Sequence, residues 1–153
     1  TLTGIKFGED YLWHIFHPDE SDWFPHSEKA AIALSIFKEI YPERQIEFIA
    51  DLQKALFKEG RDLTDNEAYR HLLEKYAIDA ATFYGQLSSE EFKEKANFDF
   101  TLCKQLKVTG YPQLLLQAGE THFYLLAKGY TGFETVNQRI ASVLEEIKVK
   151  GNA

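Results

Sequence analysis

Residues 107–130 read KVTGYPQLLLQAGETHFYLLAKGY, two apolar runs separated by a Gly-containing break, with Pro112 at the head of the first run. Short runs rich in Leu, Phe and Tyr and bounded by turn residues read as the strands of a β-hairpin, with "AGE" at its turn. Proline has no N–H to give a ladder, so it belongs at a strand's first residue and not in its middle. The hairpin is therefore expected to begin at Pro112.

On both sides of it the period changes from two to that of a helix. Upstream, "SSEEFKEKANFDFTLCKQLKV" places Phe92, Ala96, Phe100, Cys103 and Leu106 on one stripe, with Ser88 and Glu91 at capping-box spacing. Before it, "DAATFYGQL" is a short helix with Asp79 as its cap, and Thr64 with Glu67 start another whose inner face is Leu72, Leu73 and Tyr76. Further back, Ile46, Ile49, Ala50, Leu52, Leu56 and Phe57 form a helical face closed by Gly60, and Ala30, Leu34, Phe37 and Tyr41 another. The spacing predicts helices over 27–41, 45–59, 65–76 and 89–105. Downstream of the hairpin, Thr131 and Glu134 have capping-box spacing, and Val136, Ile140, Val143, Leu144 and Ile147 face inward. Residues 1–24 are aromatic and acidic without a clear period, "YLWHIF" fitting a short helix or a strand.

This order defines an α-rich α/β protein: an irregular segment over 1–24, a helical domain over 25–87, and an αββα layer over 88–150. At 153 residues the chain is long enough to bury a core without disulfide or metal staples. Its 24 acidic and 17 basic residues give a net charge of −7, which argues against a nucleic-acid or anionic-membrane partner. No apolar run approaches the roughly 18 residues of a membrane span, so a soluble protein is expected. The chain opens at Thr1 and contains no Met, which suggests a fragment of a longer protein.

Few residues point to chemistry by themselves. Cys103 is the single cysteine, set among apolar residues of its helix, where a thiol behaves as a small hydrophobe. "WHIFHPDESDWFPH" gathers His14, His17 and His26 near Asp19, Glu20 and Asp22, but Pro18 and Pro25 break any shared helix, so a solvated loop anchored by Trp13, Trp23 and Phe24 is preferred over a metal site. His71 is expected at the surface, and Arg61 with Asp62 as a local ion pair worth little. There is no Gly-rich phosphate loop, nucleophile elbow or paired-carboxylate motif. No metal or cofactor is expected.

"LKVTGYPQLLLQ", together with "DLQKALFKEGRDLTDNEAY" and "LLAKGYTGFE", resembles the DsbA-like thioredoxin-fold family, and within it the FrnE-like thiol-disulfide oxidoreductases. The resemblance spans about residues 23 to 147 and implies the second half of a thioredoxin-like layer with an inserted helical domain. It implies a cis bond at Tyr111–Pro112, with Gly110, Tyr111 and Pro112 lining a groove for an extended peptide or glutathione as thiol or disulfide substrate. It also implies a bacterial, cytoplasmic setting. The family's Cys-x-x-Cys motif is missing from these 153 residues, and the family would place it before Thr1. Three readings follow: a thiol-disulfide oxidoreductase or isomerase whose cysteine pair lies outside the chain; a glutathione-dependent enzyme akin to kappa-class transferases and hydroxychromene-carboxylate isomerases, with glutathione as co-substrate; or a non-catalytic peptide-binding member of the fold.

Overall fold

The computed structural model describes residues 4–23 and 26–151, which form two compact units, Thr1–Phe100 and Thr101–Ala153. Phe24 and Pro25, read above as an anchor and a helix break, lie outside the described residues. The elements run α1 (Glu9–Phe16), α2 (Ser27–Ile40), α3 (Gln45–Phe57), α4 (Arg70–Lys75), α5 (Ala80–Leu87), α6 (Glu90–Gln105), β1 (Gln113–Gln117), β2 (Phe123–Lys128) and α7 (Phe133–Gly151). Short 3-10 turns at Pro42–Arg44 and Asn66–Tyr69 lead into α3 and α4. "YLWHIF" is helical, as part of α1.

The first unit is built on aromatic packing between α2 and α3. Phe37 and Phe48 are fully buried and stacked, with centroids 4.1 Å apart and planes 5° from parallel. Tyr76 meets Phe37 edge-on at 4.8 Å, and the Tyr41 hydroxyl donates to the Tyr76 carbonyl at 3.1 Å. Such ring pairs add about 0.5–1.5 kcal/mol to what burial alone contributes. Leu72, Leu73 and Tyr76 are buried as the spacing predicts, and Asp79 caps α5 by accepting from Thr82 N–H.

The inner face of α3 differs from the predicted one. Phe48, Leu52 and Ala55 are buried, whereas Ile46 is 72% exposed and Ala50 and Phe57 are also exposed. This helix carries apolar residues around most of its circumference, so two stripes have helical period, and contact with Phe37 selects the Phe48 stripe. Likewise Leu144 of α7 is exposed while Val136, Ile140, Val143 and Ile147 are half-buried.

Three predicted caps also shift by a residue or more. Asp65, not Thr64, accepts from Glu67 N–H, because the Thr64 hydroxyl and N–H both bond Asp62. Ser89 accepts from Phe92 N–H, Ser88 being the end of α5. The Thr131 hydroxyl donates back to the Gly129 carbonyl, and α7 starts at Phe133.

Two glycines let the N-terminal segment lie against the end of α3. Gly8 N–H donates to the Phe57 carbonyl at 2.9 Å, and a Cβ on Gly8 would fall 1.8 Å from the Lys58 oxygen. Gly60 has φ +65, the left-handed region where glycine is favoured, and a Cβ there would crowd Asp10 and Tyr11 below 3 Å. Tyr11 can then pack edge-on against Phe57 at 5.3 Å.

In the second unit, β1 and β2 pair antiparallel from Gln113↔Lys128 to Gln117↔Phe123, with a bulge between Leu114 and Leu115. Leu126 is the residue without a partner in that register, and it and Ala127, adjacent in sequence, are both buried. Arg139 of α7 donates to the Leu126 carbonyl at 2.6 Å, which partners an oxygen at the point where the ladder is disturbed.

The aromatic stack predicts the outcome of two substitutions on one helix. Phe48→Ala should cost about 3–5 kcal/mol, as deletion of a fully buried ring does, while Ile46→Ala should stay within about 0.5 kcal/mol. Urea unfolding of the two variants checks this.

Candidate functional site

The Gly110–Tyr111–Pro112 turn is positioned by the end of α6. Lys107 takes a left-handed φ of 55°, Lys107 N–H donates to the Lys104 carbonyl and Val108 N–H to the Cys103 carbonyl, both at 3.0 Å. These are the two bonds of a Schellman helix end, here with lysine where glycine is usual. The chain then leaves the helix toward Tyr111, and the Tyr111–Pro112 bond is cis.

Pro112 contributes to the hairpin only through its carbonyl, which accepts from Gly129 N–H at 2.8 Å. Gly129 has φ +70, which glycine tolerates and most residues do not. Lys128 Nζ donates to the Thr109 hydroxyl at 2.9 Å, a second tie across the same end. The 110–112 turn and the 129–131 segment are thereby brought together.

Tyr111 stands out in this cluster. Its residue surface is 76% exposed, and among the described residues its backbone N–H and C=O have no hydrogen-bond partner. A Cβ built on Gly110 meets nothing within 4 Å, and Gly110 is not in the left-handed region, so the space beside Tyr111 is open. Glycine at 110 leaves room; the turn itself does not require it.

Beside the turn is a cavity of about 360 Å³ lined by Pro112, Gln113, Leu114, Ala127, Gly129, Tyr130, Thr131 and Val136. Gly110 and Tyr111 are not in its wall. Sequence reading missed Tyr130, although a signal exists: Gly-Tyr occurs at 110–111 and again at 129–130, and an antiparallel hairpin brings its two ends together. A second apolar cleft, about 320 Å³ between α2 and α3, has His26 at its edge, but that imidazole is engaged as the cap of α2.

Cys103 is half-buried on α6. His14 Nδ1 contacts the Ser21 hydroxyl at 2.7 Å, His17 Nδ1 contacts the Trp13 carbonyl at 2.9 Å, and no group of three metal-ligating side chains exists among the described residues. Trp23 is buried against Tyr11 and His14, whereas Trp13 is 42% exposed.

His71 is half-buried rather than on the surface, its Nε2 3.6 Å from Glu59 and its Nδ1 buried without a hydrogen-bond partner among the described residues. Burial, and then the Arg61 charge, hold its pKa below the ordinary imidazole value. Arg61 pairs with Glu59 at 2.7 Å and not with Asp62, whose carboxylate is engaged by Thr64. Arg61 hydrogen bonding lowers the Glu59 pKa, against the opposing effect of burial.

A family model described as thioredoxin matches residues 26–138, and the chain belongs to that family. No curated protein matches it. Among solved structures it is similar to the "crystal structure of a putative protein disulfide isomerase from Nitrosomonas europaea". That likeness has a TM-score of 0.76 at 22% identity and covers 89% of this chain and 72% of the other. It shows the fold: a helix-rich thioredoxin fold whose described sheet has two strands. Among the described residues no helix is long and apolar enough to cross a membrane.

Two predictions follow from the titratable groups. The folded state holds a proton on His71 less readily than the unfolded chain, so stability should fall as pH drops from about 7.5 to about 5.5. The loss should level off once the pH passes below the depressed folded value. His71→Gln should remove most of that slope in urea midpoints measured across this range.

For Cys103, thiol–disulfide turnover needs an attacking thiolate and a second thiol to resolve the mixed disulfide. The purified 153-residue chain, with one thiol, should not catalyse insulin reduction, and Cys103→Ser should leave the rate unchanged.

Proposed function

We propose that this chain presents the substrate in a DsbA-like thiol-disulfide oxidoreductase or isomerase of the FrnE-like group, holding an extended peptide against Tyr111. The observation that carries this reading is the unpartnered Tyr111 backbone at an exposed turn, next to a strand whose only partner among the described residues is β2. An N–H and a C=O facing open space can pair with an extended backbone as a short added strand, the main chain supplying affinity and the side chains specificity. The room in front of Gly110 lets such a backbone approach.

In the exchange step, a thiolate attacks one sulfur of a disulfide, the other sulfur leaves as a thiolate, and a second thiol resolves the mixed disulfide. The role of the Tyr111 turn is to hold the peptide flanking that sulfur. Cys103 has no second thiol to work with, so the redox pair in this reading is one that these 153 residues do not carry. The resemblance to FrnE-like proteins supports a bacterial cytoplasmic setting, and the thioredoxin family match supports thiol–disulfide chemistry.

Amide hydrogen exchange tests the reading, with S-methylated insulin B chain as the probe because it cannot form a disulfide. At saturation the Tyr111 amide should exchange about tenfold or more slowly, as expected of an amide newly engaged in a hydrogen bond. An unchanged Tyr111 rate with the probe bound would remove this function.

A further inference from the structure

We infer that the cleft between α2 and α3 is a binding site for a small, uncharged, apolar molecule the size of two fused rings, carrying one hydrogen-bond acceptor that meets His26. The cleft has a volume of about 320 Å³, roughly twice that of an apolar cavity that takes up one benzene. That is within the range of small-ligand sites.

The hollow follows from residue size. On α2 it is faced by Ala30 and Ala31, which leave room that larger side chains would fill, and Leu34, Ile49 and Leu56 continue the wall. Leu52 and Leu63, both buried, also line it. Ala30, Ala31, Leu34 and Leu56 pack against the buried core as well, so the cleft is a hollow in the edge of that core. The Phe37–Phe48 stack holds the two helices together, and Lys29 Nζ donates to the Thr64 carbonyl, tying the start of α2 to the chain beside Leu63. The walls are thus set before any ligand arrives.

The polar members of the lining are His26, Ser27 and Gln53, all exposed and so at the mouth. His26 Nδ1 accepts from Glu28 N–H at 3.3 Å as the cap of α2. In the neutral ring this leaves the proton on Nε2, a donor without a partner among the described residues. A ligand acceptor supplies that partner, in the way that a few polar groups orient molecules in apolar sites. No Asp, Glu, Lys or Arg lines the cleft, so a charge of either sign would lose water without gaining a counter-ion. The nearby Lys29 is already engaged, and Glu28 at the start of α2 opposes a carboxylate.

The test uses the whole chain and three ligands of similar shape: methyl naphthyl ketone, ethylnaphthalene, which lacks the acceptor, and naphthoate, which is charged. Titrations are followed through the methyl NMR signals of Leu34, Ile49, Leu52 and Leu56. The ketone should bind with Kd below about 1 mM, about threefold or more tighter than the hydrocarbon and about tenfold or more tighter than naphthoate. His26→Asp keeps a capping acceptor and removes the donor, so it should bring the ketone-to-hydrocarbon ratio toward one. Ala31→Leu should fill the hollow and weaken ketone binding about tenfold or more. Gln53→Trp, at an exposed position, should do the same by closing the mouth, and it decides the matter if Ala31→Leu does not fold. Thermal midpoints show which variants remain folded. Ketone-induced shifts that persist in Gln53→Trp, equal affinity for naphthoate and ketone, or no binding at about 1 mM would overturn the site. A ratio that survives His26→Asp would overturn the role of His26. A dimer that Gln53→Trp dissociates would assign the cleft to a second copy of the chain and overturn the ligand site.

Discussion

Proline at position 112 has a carbonyl to offer the hairpin and no N–H, and the geometry of the second unit follows from that asymmetry. The carbonyl accepts from Gly129, which closes the open end of the β1–β2 ladder. With no donor at 112, pairing cannot extend back through the proline, and the preceding residue lies outside the sheet, its backbone N–H and C=O without a hydrogen-bond partner among the described residues. The same closure places Gly129 and Tyr130 beside Pro112, forming a cavity wall from residues seventeen or more positions apart.

The helical unit rests on a different interaction, the face-to-face stack of Phe37 on Phe48. Tyr76 closes the stack edge-on, and its hydroxyl joins Lys75 on the Asp51 carboxylate, both at 2.6 Å. Burial, the largest single effect, pushes the Asp51 carboxyl up, but the Lys75 and Tyr76 bonds together outweigh it and hold the group below the ordinary carboxylate value. An aromatic core thus carries one polar edge, where the end of α4 meets α3. Gly8 and Gly60 add the N-terminal segment to this unit by allowing backbone approach where any side chain would collide.

Much of this was legible in the order of residues. The helix–hairpin–helix layout, the place of Pro112 and the cap at Asp79 depend on interactions a few residues apart, which local spacing records. Where several residues can serve one local role, spacing does not choose. Thr64 and Asp65 can each cap the following turn, and the decision rests on Asp62 engaging Thr64. Arg61 can reach Asp62 or Glu59, and it takes the carboxylate that Lys54 and His71 also face. Tyr130 was overlooked because nothing within its own window distinguishes a site tyrosine from a loop tyrosine.

By itself the sequence determined the period of each segment, the points where helix gives way to strand, the chain's single thiol and the proline that must head a strand. These are properties of short windows and of composition, and they need no knowledge of what lies across the fold. Only the tertiary structure decided that α3 buries Phe48 and exposes Ile46, that His71 lies half-buried near Glu59, and that Tyr130 lines a cavity with Pro112. Each of these depends on a partner distant in sequence. A helix with apolar residues on several sides has no inner face until another element packs against it, and a cavity has no wall until the two ends of a hairpin meet.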